Sequence, residues 1–239
     1  MVSSIDLLYG GIVFLFVIIS LGIGLRIIVK SRNVDNKIVY ISFGFAWIFM
    51  CSGWWGAALS FFLYILFGII LNTLLLLILQ NIFIPMAIIC LIYSVFSLIH
   101  DKYKIKILAI YSIICILYEV YFILFFMFLD ENTILEIEAS RRSIFLVSYQ
   151  LILTIFFNIF AIFSGLIIGF LFSKQLLKSD KKESVWRGRF LLSGFILFCA
   201  GAILESFVLP PILWILVGAL LITSSIFYQF GLFLPEKLK

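Results

Sequence analysis

The sequence predicts an all-α integral membrane protein, a bundle of seven transmembrane helices with its amino terminus outside and its carboxyl terminus inside. Three observations carry that prediction. Of the 239 residues, 65% are hydrophobic and only 12% are charged, where a soluble domain has about 25% charged residues. From Ile38 to Ile99 run 62 consecutive residues without a charge. As a single helix this stretch is about 90 Å long, some three times the hydrocarbon thickness of a bilayer, so it must turn back inside the membrane. Finally, Lys and Arg cluster at both of its ends, Arg26, Lys30, Arg32 and Lys37 before it and Lys102, Lys104 and Lys106 after it. Clustered positive charge marks cytoplasmic loops, so the stretch crosses an even number of times.

Taken in order, the first eight residues carry Asp6 and no Lys or Arg. A cleavable signal opens with a positive region, so Leu7–Val29 reads as a retained first helix. The uncharged stretch divides into Ile38–Leu66 and Leu71–Ile99, with the turn at Gly68–Thr73 outside. Ile105–Leu129 is the fourth helix. The polar segment Asp130–Ser143 follows, in which Thr133 and Glu136 have the spacing of a capping box for a short surface helix. The fifth helix is Ile144–Phe172, and the sixth and seventh are Phe190–Val208 and Ile212–Leu234, turned at Pro210-Pro211 and closed by Pro235. This arrangement places fifteen Lys and Arg inside and only Arg141 and Arg142 outside, the bias that sets orientation. The helices use up almost the whole chain, so 1–239 forms a single transmembrane domain. The four cysteines lie in apolar runs without a CxxC spacing and read as small buried residues rather than a disulfide framework.

Candidate functional residues are those that break the rule against polar groups at bilayer depth. Glu119 sits near the middle of the fourth helix and shares a face with Ser112, Cys115, Phe122 and Phe126. It reads as a proton- or ligand-binding carboxylate, or as a protonated acid that hydrogen-bonds to a neighbouring helix. Gln150, Thr154 and Asn158 recur every four residues on the fifth helix, with Asn158 at the depth of Glu119, and offer a pocket lining or a helix contact. In the third helix Gln80 and Asn81 precede Pro85. Proline removes the donor for the Asn81 carbonyl and predicts a hinge there. Glu205, one turn beyond Gly201, lies near the outer surface as the lip of the same pocket or as an interfacial group. Trp54 and Trp55 stand between Gly53 and Gly56 halfway along the second helix, where they wall a ligand or act as packing knobs, with the two glycines as a flexible point.

The segment Lys174–Arg189, KQLLKSDKKESVWRGR, is the main basic loop and attracts anionic lipid head groups; docking of a cytoplasmic or membrane protein partner is its sharper use. Seven helices invite comparison with rhodopsins and G-protein-coupled receptors. However, no Lys lies inside a span for a retinal Schiff base, no Asp-Arg-Tyr follows the third helix, and the seventh lacks Asn-Pro-x-x-Tyr. The single histidine, His100, and scattered carboxylates give no metal site, and no GxSxG or Walker element points to an enzyme. The expectation is thus a receptor-like or sensory module of the cell membrane, with an externally open pocket between helices 3 and 6. It carries no cofactor and binds no nucleic acid. The alternatives are an assembly subunit of a larger membrane complex or a small carrier using Glu119.

Overall fold

The computed structural model describes residues 3–33, 36–99, 101–139, 141–143, 146–147, 152–206 and 211–233. Gln150, the Pro210 turn and the segment from Leu234 on lie outside them. Among the described residues, seven helical spans are long and apolar enough to cross a membrane. They are built from α1 (Ser4–Lys30), α2 and α3 (Lys37–Met50 and Trp55–Phe67), α4 and α5 (Thr73–Asn81 and Ile84–Ile99), α6 (Asp101–Met127), α8 (Ile152–Leu177), α9 (Lys182–Ser206) and α10 (Pro211–Leu232). A short helix, α7 (Glu131–Ala139), follows the fourth span, and two short strands pair beyond it, β1 (Arg141–Ser143) with β2 (Leu146–Val147).

Local chemistry explains the ends. Ser3 caps α1, its hydroxyl accepting from the Asp6 amide at 3.1 Å while the Asp6 carboxylate accepts from the Ser3 amide at 3.2 Å. Gly68 ends α3 with φ +68°, the left-handed conformation that glycine adopts without a Cβ penalty. Its N–H donates to Tyr64 at 2.9 Å, and Asn72 then caps α4 by accepting from Leu74 at 2.7 Å. The surface helix is present, but its cap is Asp130, not Thr133. The Asp130 carboxylate accepts from the Thr133 amide at 2.9 Å, and hydrogen bonding to the Thr133 side chain first, then its backbone, holds that carboxyl below the usual carboxylate range. Thr133 instead lies inside α7, which seats the fully buried Ile137 against α4.

Three features of the helical elements have physical causes. The second span is not continuous: a 3-10 turn, Cys51–Trp54, separates α2 from α3, at Gly53, where helix propensity is poor. The third span is interrupted at Ile82-Phe83, just before Pro85, which has no N–H to give to the Asn81 carbonyl. Lastly, the basic segment Lys174–Arg189 is mostly helix. α8 continues to Leu177 and α9 begins at Lys182, because Lys, Gln, Leu, Glu and Arg are good helix formers and Glu183 pairs with Arg187 at 2.5 Å across one turn.

Spans 1, 2, 3, 5, 6 and 7 form a closed ring in that order, each touching the next, and span 4 leans on the outside against span 3. Spans 3 and 5 run parallel, as do 7 and 1. The remaining neighbours in the ring are antiparallel. The middle of the ring is aromatic: Trp47 lies 3.9 Å from Tyr228 and 5.9 Å from Phe198 between ring centroids, and Phe198 lies 5.5 Å from Trp54. Spans 2 and 6 therefore face each other across the centre. Where spans 1 and 2 cross, the Gly24 and Gly44 backbones meet. A Cβ on Gly44 would stand 2.9 Å from the Gly24 carbonyl oxygen, and one on Gly24 would stand 3.0 Å from that of Gly44.

Candidate functional site

The polar groups of the bundle are distributed over its helix contacts. One constellation joins three spans. Glu205 lies one residue before the end of α9, Tyr9 in the second turn of α1, and Trp54 at the close of the 3-10 turn in span 2. The Tyr9 hydroxyl donates to one Glu205 carboxylate oxygen at 2.6 Å, and the Trp54 indole N–H donates to the other. Both donors are buried, Tyr9 at 1% exposure and Trp54 at 6%. Aromatic rings fix each of them. Trp214 of span 7 packs on Tyr9 at 5.6 Å, and Phe16 meets Trp54 edge-on at 5.3 Å. A carboxylate gripped by two donors is a charge-assisted link of the stronger kind. Here it ties spans 1, 2 and 6 together where span 2 changes its helical pitch.

Trp55 points elsewhere. Its ring packs on Phe83 at 5.1 Å, beside the interruption of span 3, and Phe83 stacks on Phe49 at 5.7 Å. The two tryptophans therefore serve different contacts. Gly53 and Gly56 face span 3: a Cβ on Gly56 would lie 3.1 Å from the Leu76 carbonyl oxygen, and one on Gly53 would lie 3.9 Å from that of Gln80. At Gly56, close backbone approach is what glycine permits.

Asn81 is buried, and its amide works locally. Its Nδ2 donates to the Leu77 carbonyl of its own helix at 2.9 Å, while its Oδ1 accepts from the Tyr118 hydroxyl of span 4 at 3.4 Å. The Cys115 thiol, one turn away, points to the Pro85 carbonyl at 3.8 Å. Gln80 is half-buried. Glu119 is half-buried on span 4 and has no hydrogen bond among the described residues. Spans 4 and 5 meet where Ser164 and the Tyr111 hydroxyl lie 3.2 Å apart. Counting 1.5 Å per residue from that contact, Glu119 and the half-buried Asn158 stand at nearly the same depth, roughly 12 and 9 Å toward α7. Thr154 lies within α8 by its backbone.

Sequence reasoning named Glu205 and Trp54 separately and missed Tyr9, whose only visible signal was a hydroxyl on an apolar helix. It also missed the pairing of Ser20 with Ser225 at 3.1 Å, which joins spans 1 and 7. Among the described residues no three His, Cys, Asp or Glu side chains come together as metal ligands would. No protein-family model, no curated protein and no solved structure matches this chain.

Proposed function

We propose that the chain is a receptor-like membrane module in which Glu205, Tyr9 and Trp54 form the point where a signal is received. The reading rests on the position of Trp54, bonded to Glu205 and standing at the joint between α2 and α3. Any group that competes for the carboxylate releases the indole and frees the joint. Such a competitor is cationic, because the group it must engage is the Glu205 carboxylate, which Tyr9 and Trp54 reach by their hydrogen-bond donors. The receiving point so proposed lies among spans 1, 2, 6 and 7.

Cys51 reports on the joint, since it lies in the same 3-10 turn and is fully buried. In a variant whose other three cysteines are alanine, N-ethylmaleimide should label Cys51 slowly. Adding Glu205→Leu should speed labelling at least about tenfold below the melting temperature, because local opening, not unfolding, exposes it. Equal protection in both proteins would remove the basis of the reading.

The second reading, an assembly subunit, draws on Glu119. A half-buried carboxyl without a hydrogen bond among the described residues, on the span outside the ring, is a group that a partner helix would satisfy.

The amino terminus outside, the carboxyl terminus inside and residence in the cell membrane belong to the same proposal. Asn132→Cys and Asp180→Cys, at opposite ends of the spans, should separate cleanly. A membrane-impermeant maleimide should label the first on intact cells and the second only after permeabilisation. The reverse pattern would invert the orientation.

A further inference from the structure

We infer that the basic mouth of the ring is a binding site for one anionic phospholipid. A cavity of about 210 Å³ opens there, among the last turns of spans 1, 3, 5 and 7 and the first turns of span 2. Its walls are mostly apolar, with Ile27, Val39, Phe43, Leu98, Phe172 and Leu232 among them, and Lys30, Ser31 and Tyr40 supply its polar groups. Lys30 and Arg26 stand one turn apart on α1, with their cations 4.6 and 4.5 Å from the centre of the Phe233 ring at the edge of the cavity. Both are exposed, and neither forms an ion pair with a carboxylate among the described residues.

The combination selects the ligand. An apolar slot alone would take any acyl chain, and two cations alone would take any anion. Together they suit a molecule with an acyl tail for the slot and a negatively charged phosphate for Lys30 and Arg26. At this depth of a bilayer that molecule is a phospholipid with a net negative head group, the type of ligand that basic pockets between spans hold. The basic stretch around Lys178 to Arg189 attracts head groups through its charge.

The test uses the full chain in detergent, with thermal stabilisation by added lipid and lipid retention in native mass spectrometry as readouts. Phosphatidylglycerol should stabilise the protein and be retained in preference to phosphatidylcholine. Each of Lys30→Gln and Arg26→Gln should lower the phosphatidylglycerol affinity about fivefold, the weight of one basic residue near an anionic head group, and leave phosphatidylcholine retention unchanged. Leu98→Trp, which fills the slot from its half-buried rim, should reduce retention of both lipids. If it fails to fold, the charge variants decide alone. Arg189→Gln should change neither. Wild-type protein with no preference for phosphatidylglycerol, Lys30→Gln and Arg26→Gln that both keep the preference, or equal stabilisation by glycerol phosphate, which has no chain, would each overturn the assignment.

Discussion

Replacing Glu205 by leucine is expected to destabilise the bundle by about 3 kcal/mol, and replacing it by glutamine by less than about 1 kcal/mol. Leucine removes the acceptor shared by two buried donors, the Tyr9 hydroxyl and the Trp54 indole N–H, and strands the indole, which can only donate. A buried donor left without an acceptor costs about 1–3 kcal/mol. Hydrogen bonds between membrane helices measure less on average, about 0.6 kcal/mol, because the dissociated helices find other partners. The carboxylate acceptor and the burial of both donors favour the larger scale here. Glutamine escapes the loss through the chemistry of its neighbours. An indole can only donate, so the amide oxygen turns to Trp54, and a hydroxyl can accept as well as donate, so the amide NH₂ turns to Tyr9. Thermal unfolding in detergent measures the difference. In the Glu205→Leu background, Tyr9→Phe should cost less than it does in the wild type, the signature of a shared interaction. A leucine variant as stable as the glutamine one would mean that the carboxylate holds nothing together.

The crossing of spans 1 and 2 should be the least tolerant point of the fold. Gly24→Leu is expected to cost about 3 kcal/mol or more, at the upper end of what forced overpacking costs. A side chain there meets the backbone of Gly44 and the side chain of Ile48, and the partner backbone cannot turn aside as a long side chain can. Gly22→Leu, two residues earlier, supplies the control. Gly22 is exposed and a Cβ on it meets nothing within 4 Å, so the change should stay within about 0.5 kcal/mol. Reversible unfolding in mixed micelles reports both. Comparable losses at the two positions would show that spans 1 and 2 do not depend on close approach.

The spans themselves were legible in the sequence because hydropathy and length are local properties and a bilayer forces every backbone group into helix. The interruption before Pro85 was legible for the same reason, since a missing N–H is written into the residue. What could not be read was which polar groups meet. Glu205 and Tyr9 are 196 residues apart, and their encounter depends on the order of helices around the ring, which no periodicity encodes. The stripe Gln150, Thr154, Asn158 was plain as a pattern, whereas Tyr9 had no pattern at all. Charge counting also treated Lys174–Arg189 as loop, although its residue types favour helix and its Glu183–Arg187 spacing is helical.

The ring has a consequence in parity. Spans 1, 2 and 3 run down, up and down, and spans 5, 6 and 7 repeat that sense, so the chain consists of two triplets facing the same way. Three crossings leave a polypeptide on the far side of the membrane, and a second triplet begun there would be inverted. One additional crossing restores the starting side, and span 4, the span that leans outside the ring, supplies it. An odd total is thus the arithmetic of two like-oriented halves: three and three can share an orientation only when a single return stroke stands between them.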